Sequence, residues 1–154
     1  METDRLDINT GMDGFILLKG IRSVSLEQIN GWACFYNATA FEAIEALAQL
    51  GAMHARFLCD FDRHAFLLKI NHFNGFNKTN FTGDFDLQGK LVVKTQSAFT
   101  YQLTAGSVAT FGEKSICSGE FSFAVLNYNQ RFKQGVLKAH YRKVFLCLSN
   151  LKNE

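Results

Sequence analysis

Glu45 is the residue of this sequence best placed to do acid-base chemistry. It stands in the run Glu-Ala-Leu-Ala-Gln, residues 45–49, and most of the residues around it are apolar. An ionised carboxylate is costly to bury unless it is paired or hydrogen-bonded, and burial raises its proton affinity toward the range useful in catalysis. Glu45 is therefore predicted to be either a well-bonded core residue or a catalytic one.

The segment from Phe41 to Cys59 has the pattern of a helix enclosed by other structure. At about 100° per residue its apolar side chains cover most of the helix surface, and the polar ones share a narrow sector. That sector contains Glu42, Glu45, Gln49 and Arg56. Thr39 and Glu42 have the spacing of a capping box, which places Glu45 about one turn inside the helix, where the dipole favours negative charge.

Length and composition predict a single domain over residues 1–154. A net charge of +2 argues against nucleic-acid binding, and no apolar run is long enough to span a bilayer. The acidic start lacks the pattern of a secretory signal, so the expected location is the cytoplasm. The four cysteines have no metal-ligand spacing, which predicts reduced, buried thiols and no metal site.

Alternating apolar residues predict strands before and after the helix. The predicted strands are residues 15–24, 28–36, 65–73, 87–97, 100–111 and 115–126, and the last two are joined by a hairpin turn at 112–114. The basic tail has helical spacing over residues 134–148, with a further strand as the competing assignment. Antiparallel strands curving around one central helix are the simplest packing.

The order of these elements, the helix sequence and the run Phe-Thr-Gly-Asp at 81–84 resemble the α+β hotdog fold. The sequence is most similar to the β-hydroxyacyl-acyl-carrier-protein dehydratases of bacterial fatty-acid synthesis, whose helix reads Glu-Ala-Met-Ala-Gln. The similarity covers about residues 12–126 and leaves out the extension at 127–154. It implies that Glu45 is the catalytic acid and that Gln49 is the glutamine one turn later.

One catalytic element of that family is missing. Its Gly-His-Phe-Pro-Gly loop has no counterpart, because Tyr36 leads through Asn37 directly into the helix. Dehydration needs both a base and an acid beside the substrate. His72 of a partner subunit is a candidate base, and the alternative for His72 is a strand-end histidine that bonds backbone or solvent. His64 is expected to be exposed in a polar turn.

Three functions fit these observations. The first is a 3-hydroxyacyl-thioester dehydratase with Glu45 as acid and His72 or water as base. The second is a hotdog acyl thioesterase, which needs only the carboxylate to activate water or to attack directly. The third is a non-catalytic subunit that binds an acyl chain or completes a heterodimer, in which Glu45 only fixes the packing.

The resemblance also implies where the substrate binds. In this hypothesis the substrate is carried by acyl carrier protein or coenzyme A, and no cofactor is expected beyond that phosphopantetheine group. Backbone N–H groups at the start of the helix would polarise the thioester carbonyl, and Gln49 would orient the carboxylate. The predicted substrate-binding residues are Phe41, Glu42, Ala43, Gln49 and Asn37.

An acidic carrier protein and a second subunit are the predicted partners. Positive charge is concentrated toward the C-terminal end of the chain, so an acidic protein would be steered there. The predicted partner-binding residues are Arg63, Lys138 and Arg142. A homodimer is expected because pairing covers the open edge of a hotdog sheet.

Overall fold

Two helices and six strands form over residues 16–75, 80–107 and 115–150, which are the residues that this computed structural model describes. In chain order they are β1 Leu18–Val24, β2 Gln28–Ala38, α1 Ala40–Leu58, β3 Arg63–Asn74, β4 Phe81–Lys94, β5 Ala98–Ser107, β6 Ser115–Asn127 and α2 Gln134–Asn150. The predicted order of strands and helices is confirmed, and the tail is a helix and not a further strand. The predicted turn at 112–114 lies outside the described residues.

The six strands form one antiparallel sheet in the order β1-β2-β4-β5-β6-β3. The chain leaves β2, runs through α1 and returns as β3 on the far edge of the sheet. Helix α1 contacts all six strands, so the sheet curves around it as predicted. The two edge strands, β1 and β3, therefore flank the side of α1 that the sheet leaves open.

Helix α1 is enclosed because small side chains let the sheet approach it closely. Ala46, Leu47, Leu50 and Ala55 are fully buried, and Gly51 leaves no room for a side chain. A Cβ atom at Gly51 would lie 2.7 Å from Cε2 of Phe123. The predicted capping box is present, with the Thr39 N–H donating to Glu42 Oε2 at 2.6 Å.

His54 belongs to the core, where it is fully buried. Its Nε2 donates to the Ser25 carbonyl oxygen at 2.7 Å, since a carbonyl can only accept. Its Nδ1 is then the acceptor for the Tyr101 hydroxyl at 3.0 Å. Burial lowers the pKa of His54, so the neutral ring is the form that these two bonds hold.

The prediction of buried thiols is wrong for Cys34 and Cys147, which are exposed. Cys117 is buried, and burial raises the pKa of its thiol to about 11. Val93 is exposed because a bulge between Leu91 and Val93 interrupts the alternation of β4. Strand β4 begins at Phe81, before the predicted start at residue 87.

Helix α2 covers the open side of α1. Its apolar face, Val144, Phe145 and Leu148, is buried, and the helix packs against β1 and α1. Two ion pairs hold it to the turn after α1, Lys138 with Asp62 and Arg142 with Asp60. The extension outside the resemblance is therefore part of the wall around the central helix.

Candidate active site

A cavity of about 280 Å³ lies between α1 and α2, with the start of β1 on one side and β3 on the other. Its walls are mostly apolar, and the charged groups in them are Glu45 and Arg56 on α1. The apolar lining includes Ile16, Leu18, Ala52, Phe123, Val144 and Leu148. A mostly apolar pocket with a few placed polar groups is the usual form of a small-molecule site.

Glu45 is half-buried in this wall and is held by Gln49. The Gln49 side-chain Nε2 donates to Glu45 Oε1 at 3.1 Å, and the Leu17 backbone N–H donates to Gln49 Oε1 at 2.9 Å. The second bond fixes the orientation of the amide, so its NH₂ group points to the carboxylate. Among the described residues, Glu45 Oε2 has no hydrogen-bond partner. One carboxylate oxygen is thus positioned by the Gln49 amide.

The first turn of α1 is close to Glu45 in sequence but does not line the cavity. Within the described part of the chain, none of the predicted residues Asn37, Phe41, Glu42 and Ala43 contributes to its wall. The Glu42 side chain and N–H are both used by the capping box. Phe41 is 81% exposed, whereas Ala43 is buried. Asn37 is exposed in the left-handed region, and its N–H donates to Thr82 Oγ1 at 2.8 Å.

His72 lies away from Glu45 in this chain. It is exposed on edge strand β3, with a φ of 52°, where the pairing with β6 is irregular. It does not line the cavity, so only another subunit could bring a His72 ring to Glu45. The structure describes one chain, and His72 as a base stays a prediction.

The three predicted partner-binding cations all have contacts within the chain. Arg63 donates to the carbonyl oxygens of Gln96 at 2.8 Å and Val125 at 2.5 Å, which ties β3 to β6 and to the turn before β5. Lys138 and Arg142 form the ion pairs that attach α2. These exposed pairs are worth little individually, so the two side chains can still meet a partner.

Sequence reasoning missed the far end of the cavity, around Arg56. The Arg56 guanidinium donates from Nη2 to the Ala65 carbonyl oxygen at 3.0 Å, and its Cζ lies 3.9 Å from the centre of the Tyr141 ring. Burial lowers the pKa of Arg56. The sequence spacing could have indicated this end of the cavity. Glu45 and Arg56 are eleven residues apart, so they lie on one side of a helix and about 16 Å apart along its axis.

His64, expected to be exposed, is buried beside Arg56. It is 5% exposed and is surrounded by the rings of Phe66, Tyr128, Phe132 and Tyr141, so the prediction is wrong. Tyr128, Phe132 and Tyr141 lie far from His64 along the chain, so a local sequence pattern does not reveal that their rings surround it. Burial, and then the charge of Arg56, lower the pKa of His64 to about 4.

His64 makes the stability of the protein depend on pH. Between pH 6.5 and 4 the unfolded histidine binds a proton that the folded one does not, so the free energy of unfolding falls as the pH falls. At pH 4.5 the loss from His64 is about 2 kcal/mol. In denaturant titrations from pH 7 to 4.5, His64→Phe is expected to show a shallower decline than wild type. The exposed His72→Gln is the control, and equal slopes for His64→Phe and wild type would contradict the assignment.

No group of three or more His, Cys, Asp or Glu side chains that could hold a metal ion occurs within the described residues. Both described helices are also too short or too polar to cross a lipid bilayer.

No protein-family model and no curated protein matches this sequence. Solved structures do match. They include a thioesterase from Haemophilus influenzae, with a TM-score of 0.57 and 12% identity over 70% of this chain and 77% of the other. They also include a thioesterase from Staphylococcus aureus, with a TM-score of 0.60 and 10% identity over 70% of this chain and 92% of the other.

A third similar structure is a hypothetical thioesterase from Streptococcus pneumoniae, solved with coenzyme A. Its TM-score is 0.58, with 10% identity over 70% of this chain and 84% of the other. These identities establish a shared fold only, and the three structures named here are thioesterases. The chain therefore has the α+β hotdog fold that these thioesterase structures share.

Proposed function

We propose that this protein hydrolyses acyl thioesters and that Glu45 activates the attacking water. The observation that carries the proposal is the Glu45 carboxylate, hydrogen-bonded by Gln49 at 3.1 Å in the wall of a mostly apolar cavity. The cavity suits an acyl chain, and the carboxylate is the group that the thioester carbonyl would meet. Burying each methylene of such a chain contributes about 0.8 kcal/mol.

The reaction needs few groups from the protein. Glu45 accepts a proton from water, the water oxygen attacks the thioester carbonyl carbon, and the C–S bond of the tetrahedral intermediate then breaks. The proton passes to the departing thiolate, so the products are a carboxylic acid and a thiol. Gln49 keeps the carboxylate in place through these steps. Direct attack by Glu45, through a mixed anhydride that water then cleaves, is the second route open to the same residue.

The dehydratase function has less support in this geometry. It requires a second acid-base group beside the substrate, and no histidine lines the cavity in the described part of the chain. Hydrolysis requires only the one carboxylate that is present. The similar solved structures include thioesterases, which also favours hydrolysis.

Coenzyme A is the proposed carrier of the substrate. One similar thioesterase structure was solved with coenzyme A. An acyl carrier protein presents the same phosphopantetheine arm and is the alternative carrier. The proposed reaction uses no other cofactor.

The decisive assay follows two reactions on the same purified protein. Thiol release from acyl-CoA substrates reports hydrolysis, and hydration of crotonyl-CoA reports the reverse of dehydration. Hydrolysis without hydration supports the thioesterase. Hydration without hydrolysis would instead support the dehydratase. The absence of both activities would support a non-catalytic subunit that binds acyl chains.

We propose a homodimer as the working form, paired through edge strand β3. Leu67 and Leu68 on β3 are 42% and 60% exposed, and Leu126 on the neighbouring β6 is 48% exposed. An exposed apolar edge strand is a template for pairing with another strand. Leu67 also lines the cavity, so a partner at this edge would border the site.

Leu68→Glu is expected to shift the protein toward monomer in light scattering after size-exclusion chromatography. The new charge would have to be buried at the paired edge, which costs several kcal/mol. Val92→Glu, at an exposed position of β4, is the matched control and should leave the mass unchanged. A wild-type monomer at high concentration would refute pairing through β3.

A further inference from the structure

Among the described residues, the largely buried Arg56 guanidinium has no counterion. Its Nη2 donates to a backbone carbonyl, and the Tyr141 ring covers one face, but its Nε is buried and has no hydrogen-bond partner. Within residues 16–75, 80–107 and 115–150 no carboxylate pairs with it. A buried charge in that state is unfavourable, and a cation–π contact of about 2 kcal/mol offsets only part of the cost.

Two further unpartnered nitrogens lie near Arg56. His64 Nδ1 and His140 Nε2 are both buried without a hydrogen bond. Burial first, and then the charge of Arg56, lower the pKa of each histidine, so both are within its electrostatic reach. Nearly all buried polar atoms in folded proteins have a partner. Neither histidine lines the cavity, so Arg56 is the cation that a ligand there would meet.

Arg56 and Glu45 belong to the same cavity wall. They lie on one side of α1, about 16 Å apart along the axis, and the wall between them contains Ala48 and Ala52. Val144 and Leu148 of α2 close the opposite side. A ligand that spans this distance would be apolar along its length, with one polar group at each end.

We propose that the cavity binds acyl chains whose far end carries a carboxylate, and that Arg56 is the residue that recognises this group. The ligand class is the ω-carboxyacyl thioester, a dicarboxylic acid with one carboxyl group esterified to the carrier thiol. The thioester end at Glu45 rests on the proposed function, whereas the carboxylate end at Arg56 does not.

The dimensions give the length of the chain. Contacts of about 3 Å at each end leave about 10 Å of the axial separation, and an extended chain advances about 1.2 Å per bond. The chain between the two carbonyl carbons then has about eight bonds, close to the nine of a ten-carbon chain. A cavity of 280 Å³ is close to the lower limit for small-molecule sites, which also favours a medium-length chain over a long one.

Binding can be measured without catalysis by using amides in place of thioesters. The two probes are N-ethyldecanamide and the N-ethyl monoamide of sebacic acid, which have acyl chains of equal length and differ in the terminal carboxylate. Isothermal titration of the wild-type protein should show that the carboxylate probe binds about 10- to 100-fold tighter, as expected for hydrogen bonds to a charged group. Equal affinity, or tighter binding of the uncharged amide, would overturn the proposal.

Arg56→Gln should remove the preference for the carboxylate probe and leave the affinity for N-ethyldecanamide similar. Arg131→Gln, which removes an exposed arginine, is the matched control and should retain the preference. A preference that survives in folded Arg56→Gln protein would refute the role of Arg56. If Arg56→Gln does not fold, the relative affinities of the wild-type protein for the two amides still support or refute the carboxylate site.

Hydrolysis is then tested separately, with sebacyl-CoA and decanoyl-CoA. Preferred binding of the carboxylate amide together with faster hydrolysis of sebacyl-CoA supports both proposals. The same binding preference without any hydrolysis supports the ligand and refutes the thioesterase. Hydrolysis of decanoyl-CoA without a binding preference supports the thioesterase and refutes the carboxylate site.

Discussion

Glu45→Gln is expected to lower kcat for acyl-CoA hydrolysis by about 10²- to 10⁴-fold, the range that a positioned general base contributes. Glutamine has the same shape and can still accept a hydrogen bond from Gln49, but it cannot take a proton from water. KM should change much less than kcat, because the apolar cavity that binds the chain is unaltered. Thiol release from acyl-CoA measures both constants.

Glu27→Gln is the matched control for this substitution. It makes the same chemical change at an exposed position in the turn between β1 and β2, and activity should equal that of wild type. Unchanged melting temperatures of both variants would show that a loss of activity is not a loss of folding. Wild-type kcat in Glu45→Gln would refute the assignment of Glu45. Solvent oxygen-18 in a single turnover tests direct attack, since label enters the Glu45 carboxylate when water cleaves the mixed anhydride at the Glu45 carbonyl.

Gly51→Leu is expected to destabilise the fold by about 3 kcal/mol or more, the upper end of the cost of overpacking. A Cβ atom at this position already lies 2.7 and 2.8 Å from two ring atoms of Phe123 and 3.2 Å from Leu103. The ring is fixed between buried neighbours, so α1 or β6 would have to move. Chemical denaturation monitored by circular dichroism measures the change.

Gly135→Leu is the control for that experiment. It puts the same side chain into the other helix at a position where a Cβ meets nothing within 4 Å. Leucine favours a helix over glycine by up to about 1 kcal/mol, so this variant should be as stable as wild type or more so. Equal stability of the two leucine variants would contradict the close packing of α1 against β6.

Much of the fold was predictable because its signals are local. The capping box at Thr39 and Glu42, the enclosed pattern of α1 and the apolar stripe of α2 each depend on residues a few positions apart. Alternation predicted the buried face of β6, where Phe121, Phe123 and Val125 are all fully buried. It failed where a bulge shifts the pattern, as at Val93.

The candidate site was predictable at one end only. Gln49 lies one helical turn from Glu45, so their contact follows from the sequence. The surroundings of Arg56 come from β3, from the segment after β6 and from α2, and no local pattern reports that Tyr141 will cover a guanidinium. Burial of His64 by the distant rings of Tyr128, Phe132 and Tyr141 has the same origin. Only the tertiary structure shows that the cavity has a polar group at each end.

The position of β3 in the sheet also constrains how the chain can fold. This strand is complete by residue 74, yet its neighbour among the described strands, β6, begins at Ser115 and reaches Asn127. Such pairing between distant segments is slow, because a long loop must close, at an entropic cost, before any stabilising contact forms. During synthesis on the ribosome α1 emerges long before β6 and α2, so its apolar surface is exposed until they are made. Chaperone binding in that interval, or aggregation without it, is the expected consequence.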